Sequence, residues 1–190
     1  LFVEDGYVYI SLQHKDSKGF TINIYRAKLN YEKLEFFLFF KTNEYWENYN
    51  VFSGGRIETY KNNKILFSIG FSGKKKVSQD KNSLLGKIIA IDKENSNFNL
   101  ISLGHRNPQG LFYEKSIDLI MNTEHGPKGG DEVNLNFQNN TLIPNYGWDI
   151  ASYGSPYSGT DNFKKSHEKF GFIEPFKNYT PSIGISEIVN

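Results

Sequence analysis

The chain has 190 residues, 22 basic against 21 acidic, and no cysteine. That length can bury a substantial core. The charge balance gives no footing for nucleic acid or a membrane surface, no apolar run reaches the roughly 18 residues of a membrane span, and neither a disulfide nor a thiolate metal site is possible.

Short runs rich in β-branched and aromatic residues recur along the chain, at 7–12, 21–29, 34–41, 56–60, 65–69, 86–92, 99–103, 110–113, 119–123 and 132–135. Turn-forming residues separate them, as at 15–19, 61–64 and 92–95. No segment holds a helical period over three turns. Regular short strands of this kind predict an all-β sandwich, barrel or propeller. There is no clean tandem repeat to choose among them. The run LEFFLFF at 34–40 is apolar on both faces, which predicts a central position in a sheet; left uncovered it would be an aggregation hazard. The polar stretches 139–145 and 152–170 read as long surface loops, which are often functional. No second core pattern follows Tyr153, so the expectation is one domain over 1–190. The chain starts at Leu1 and enters a strand pattern at once, with no secretory leader in view, and so reads as an internal fragment.

Three polar loop motifs lie between the later runs: GHRNPQG at 104–110, TEHGPKGGDE at 123–132 and NYGW at 145–148. Loops held by a scaffold are where binding groups usually sit. In the first, Pro108 and Gly110 predict a tight turn that presents Arg106 and Asn107 at a strand end. The chain has only three arginines, Arg26, Arg56 and Arg106, among many lysines. Arginine's planar fork matches carboxylates and other oxygen pairs. On the residues alone, an Arg-Asn turn that caps backbone groups is the simpler reading; Arg56 is read as structural, and His105 as packing beneath the loop. In the second motif, Gly126-Pro127 makes a sharp turn whose carbonyls can converge on a hard cation, although the same residues also make a plain turn. Asp131 and Glu132 are either acidic ligands or solvated turn charges. Tyr146-Gly147-Trp148 is either an aromatic corner or an aromatic wall for a sugar.

The order and spacing of these motifs resembles the glucose/sorbosone dehydrogenase family, soluble sugar dehydrogenases that use pyrroloquinoline quinone (PQQ) and calcium. The resemblance implies a six-bladed β-propeller of four-stranded antiparallel blades, with about half a ring present here. A half ring exposes an apolar face at each end and should be unstable alone. The resemblance also implies that Arg106 and Asn107 contact the quinone, Arg106 acting catalytically on the charge that develops there. The Gly126 and Pro127 carbonyls would bind the calcium that holds PQQ, and Glu132 and Tyr146 would contribute to a further calcium site. A sugar substrate and a periplasmic or secreted location come with the family.

Two positions depart from the family pattern. The family's general base is a histidine four residues before the arginine of the Gly-x-Arg strand start, and here Phe52 stands there. An acidic residue usually follows Ile-Gly, and here it is Phe71. Phenylalanine accepts no proton, and loss of a general base typically lowers the rate about 10²- to 10⁴-fold. His14, His125 and His167 lack the sequence context of a substitute. The expectations are therefore PQQ- and calcium-dependent aldose oxidation, impaired at its base, or a non-catalytic propeller that binds a glycan or protein, or a plain interaction propeller that keeps the loops for folding.

Overall fold

The structure, a computed structural model, describes residues 1–47, 54–139, 142–158 and 162–189. Its described strands form three four-stranded antiparallel sheets. The first runs in the order β1 (Phe2–Glu4), β2 (Tyr7–Asp16), β3 (Gly19–Lys28), β4 (Phe37–Lys41). The second runs β5 (Gly54–Tyr60), β6 (Lys64–Ile69), β7 (Lys87–Asp92), β8 (Phe98–Leu103). The third comprises β9 (Pro108–Glu114), β10 (Leu119–Glu124), β11 (Asp131–Phe137) and β12 (Lys177–Tyr179). These are three consecutive blades of a β-propeller. Three-residue strands such as β1 and β12 are too short for alternation to reveal them in sequence.

Local turn chemistry sets the hairpins. Asn62 and Asn63 both take left-handed backbone between β5 and β6 (φ 57° and 58°), a conformation asparagine tolerates better than most residues. Between β7 and β8, Asp92 Oδ1 accepts from the N–H groups of Glu94 and Asn95 at 2.9 and 3.1 Å, an Asx turn.

The core explains why the middle blade reads as continuously apolar. Ile65, Phe67, Ile69, Ile89 and Ile91 pack against Tyr9, Ile22, Ile24 and Phe40 of the first blade. The alternate residues Leu66, Ile88 and Ala90 pack against Leu111, Tyr113 and Ile120 of the third. Each such side chain contributes about 1.5–3 kcal/mol through burial. The run at 34–40 does not take the central position predicted for it. β4 is an edge strand of the first blade, with Phe37 71% and Leu38 53% exposed and Phe40 in the core. A doubly apolar strand is buried on both faces only where sheets flank both sides. Within the described residues, that holds for the second blade and not for the first.

The connections β6–β7, β8–β9 and β10–β11 meet at one end of the sheets. The Arg106 carbonyl accepts the Phe71 N–H at 2.7 Å, and the Asn107 carbonyl accepts the His125 N–H at 3.2 Å. The connection from β11 to β12 contains the two stretches predicted as surface loops, and most of the described residues of 152–170 are exposed. It returns beside β8 through a parallel bridge, Leu103 to Asn145, and folds over the same end through the bridges Lys128–Ser155 and Ala151–Lys164. Ser152 and His167 are buried within it.

Candidate active site

The β8–β9 connection turns at Gly104, which has φ +78°. A Cβ there would overlap the Asn145 side chain and the Gly147 N–H, so glycine is required both by conformation and by close approach. The turn thus lies at Gly104; Pro108 and Gly110, predicted to make it, are residues of β9. His105 is wholly buried, as expected of a structural residue, with its ring 4.9 Å from that of Tyr146.

Glu124, the last residue of β10, organises this loop. Its Oε1 accepts from His105 Nδ1 (2.9 Å), Asn134 Nδ2 (2.9 Å) and Asn122 Nδ2 (3.4 Å), and its Oε2 accepts from the Arg106 N–H (2.7 Å). Burial pushes the Glu124 carboxyl up, but His105 and the hydrogen bonds outweigh that and hold it below its ordinary value. Sequence reading passed over Glu124. The available signal was its period-2 register with the inward Ile120 and Asn122.

Arg106 is 4% exposed. Its Nη1 donates to the His125 carbonyl at 2.8 Å, and its guanidinium lies 5.3 Å from the Trp148 ring. Burial draws it below its ordinary value, against the pull of Tyr157, Glu124 and Asp131; an arginine so placed remains a cation. Asn107 is also buried. Its Oδ1 accepts the Gly54 N–H at 3.3 Å, which ties the loop to β5. Arg56, read as structural, forms an ion pair with Glu187.

In the β10–β11 turn, a Cβ on Gly126 would overlap the carbonyl oxygens of Gly129 and Gly130. Asp131 is buried and not a solvated turn charge. Its Oδ1 accepts the Gly126 N–H (3.1 Å), and its Oδ2 accepts those of Ile183 (3.0 Å) and Gly184 (2.8 Å). Burial raises its carboxyl, but the Ser182 hydroxyl and these N–H groups bring it below the usual value. One side chain thereby joins the turn to the segment that leaves β12. Among the described residues, the carbonyls of Gly126 and Pro127 accept no hydrogen bond. Main-chain carbonyls on a tight turn fit a hard cation.

These loops enclose a cleft of about 760 Å³, lined by Phe71, Arg106, Pro127, Trp148 and Phe163 together with residues 149, 150, 156–158, 162 and 164. Ligand sites typically span roughly 300–1,000 Å³. Phe71 meets Trp148 edge to face at 5.6 Å, and Trp148 lies 5.1 Å from Phe163. The aromatic walls and the buried guanidinium fit a flat, anionic quinone. Among the described residues that line the cleft none is histidine, and the single carboxylate is Asp149. His14 lies on β2 with its ring 6.3 Å from Tyr25. Phe52 lies outside the described residues.

A second cavity, of about 10 Å³, lies behind Arg106, and Glu132, Tyr146, Gly126 and Glu124 line it. That volume suits one water or one small ion. The structure therefore brings Arg106, Gly126, Glu132 and Tyr146 together, with Pro127 on the cleft side. The Tyr146 hydroxyl donates to the Leu135 carbonyl at 2.8 Å. Burial pushes the Glu132 carboxyl well above the usual range, and Glu124, Glu174 and Asp131 add to the effect. His167 Nε2 stands 3.7 Å from Glu132. A buried carboxylate beside other negative charge fits a hard cation. Among the described residues no cluster of three or more His, Cys, Asp or Glu is placed to hold a metal, so such a site draws on main-chain carbonyls. Among the described residues no helix is long and apolar enough to cross a membrane.

The sequence profile of the Glucose / Sorbosone dehydrogenase family matches residues 1–190. An uncharacterized protein of Synechocystis is 29% identical over 209 residues, which cover 97% of this chain and 50% of that one. Aldose sugar dehydrogenase YliI of Escherichia coli is 29% identical over 119 residues, 56% of this chain and 31% of that one. The solved PQQ-bound form of aldose sugar dehydrogenase from Streptomyces coelicolor shares the fold, with a TM-score of 0.68 at 23% identity over 96% of this chain and 52% of that one. The chain thus spans about half the length of the Synechocystis relative that it matches from end to end.

Proposed function

This chain belongs to the glucose/sorbosone dehydrogenase family, and on that premise we propose that it is about half of a PQQ- and calcium-dependent aldose dehydrogenase whose proton-transfer step is impaired. The observation that carries the reading is that Arg106, Pro127 and Trp148 share one cleft of about 760 Å³. PQQ, when bound, supplies the hydride acceptor. Arg106 holds a buried positive charge where negative charge develops on reduction, and the Asn107 amide donates beside it. The carbonyls of Gly126 and Pro127 ligate the calcium that positions the cofactor, and Glu132 with the Tyr146 carbonyl holds a further calcium. Trp148 and Phe163 offer flat faces to the sugar ring. The protein acts outside the cytoplasm, in the periplasm or as a secreted enzyme.

Oxidation of an aldose requires its anomeric hydroxyl to lose a proton as hydride leaves. With Phe52 at the general-base position, and no histidine among the described cleft residues, that proton lacks an efficient acceptor. Phe71 on the cleft wall favours a second reading, a propeller that binds a glycan without turning it over. Thermal unfolding of the full-length protein with PQQ, calcium, both or neither tests the cofactor reading; a rise in Tm with PQQ that requires calcium is expected. If PQQ at high concentration leaves Tm unchanged with calcium present, the cofactor reading fails. Turnover with a dye acceptor then separates a slow enzyme from a binding protein. Rates typical of enzymes, about 10 per second, would refute the impairment.

A further inference from the structure

The β6–β7 connection and the wall opposite bring cations to the mouth of the cleft. Lys75 and Lys76 line it, as does Lys164, whose Nζ lies 5.1 Å from the Phe170 ring, and Arg106 lies deeper. The whole chain has a net charge of only +1, whereas the described lining residues include four cations, Lys75, Lys76, Arg106 and Lys164, against one anion. Asp149, the one carboxylate among the described lining residues, is held by the backbone: both of its oxygens accept the Lys76 N–H, at 3.1 Å each. This grip fixes the loop where Lys76 stands.

Lys76 has φ 62° and ψ 1°, the left-handed region. Glycine or asparagine is the usual residue there, and a lysine is strained relative to either. Strain retained at a cleft mouth is an observation that points toward function. What the position gains over glycine is an ammonium group on a flexible stem, a compact charge suited to phosphate or carboxylate. A concave site lined by one sign of charge also focuses its field on an incoming ion. Trp148, Phe163 and Tyr157 add ring faces to the same cleft.

We infer that the cleft selects sugars bearing an anionic group, a carboxylate or a phosphate, over neutral aldoses, with Lys76 and Lys164 as the specificity-determining residues; this rests on reading the cleft as the sugar site. PQQ is itself anionic, so the test separates sugar from cofactor. The full-length protein, first without PQQ and then loaded with PQQ and calcium, is titrated with D-glucose, D-glucuronate and D-glucose 6-phosphate while tryptophan fluorescence reports on Trp148. Both anionic sugars are expected to bind about tenfold or more tightly than glucose, and the preference should shrink as salt is raised toward about 0.5 M. The double variant Lys76→Gly/Lys164→Ala should bring it below about threefold with glucose binding unchanged; glycine at 76 suits the left-handed backbone, so misfolding does not confound the result. Preference for only one anionic sugar supports the inference and identifies the group. Equal affinities in the wild type, or a preference that survives in the double variant, overturn it. Failure to bind PQQ counts against the cofactor reading alone, because the titration without cofactor does not depend on it.

Discussion

Glu124→Gln in the full-length protein probes the scaffold beneath the cleft most directly. The carboxylate accepts four hydrogen bonds, from His105, Asn134, Asn122 and the Arg106 main chain, at 2.7–3.4 Å. Glutamine preserves the volume but puts an amide donor among donors, so at least one of those groups loses its acceptor. A buried donor left unsatisfied costs about 1–3 kcal/mol, and more where the lost partner was charged. The expected loss is about 1–3 kcal/mol or more at neutral pH, measured by urea denaturation followed by tryptophan fluorescence. The pH dependence follows from the depressed carboxyl. Its folded-state value lies below the ordinary 4.5, so its contribution is fully present above that value and is lost as pH falls through the folded one. The gap between wild type and variant should therefore be flat near neutrality and narrow below about pH 4.5. A loss under about 1 kcal/mol at pH 7, less than one unsatisfied donor is worth, would refute the view that Glu124 holds the Arg106 loop.

Gly126→Ala should destabilise the β10–β11 turn by about 1–3 kcal/mol or more, because its methyl group meets the backbone carbonyls of Gly129 and Gly130; denaturation measures the loss, and calcium-dependent PQQ binding should weaken with it. Phe52→His should raise aldose turnover about 10²-fold or more if the missing base is the lesion, as steady-state assays with PQQ, calcium and a dye would record; no change would point to Phe71. Ile89→Ala, between two blades, should cost about 2–5 kcal/mol, whereas Phe37→Ser, at an exposed edge position, should change stability by about 0.5 kcal/mol or less, and parallel denaturation curves compare them.

Much of this protein could be read in the sequence because the signals are local. The apolar, β-branched run from Ile65 to Ile69 and the Asx turn at Asp92 depend only on nearby residues and backbone geometry, and β6 and its neighbours lie where those signals place them. The loop motifs are similarly local, and Arg106, Gly126, Glu132 and Tyr146 do come together. What only the tertiary structure decided involves residues far apart in the chain. Whether LEFFLFF is covered depends on which sheets flank it. Glu124 acquires its role from His105, 19 positions away, and Asp131 from Gly184, 53 positions away. Residues 156–158 and 162–164 become part of a cleft wall because the connection that carries them pairs with β8 and Lys128. Burial and hydrogen-bond partnership are properties of neighbours in space, and local periodicity carries no record of them.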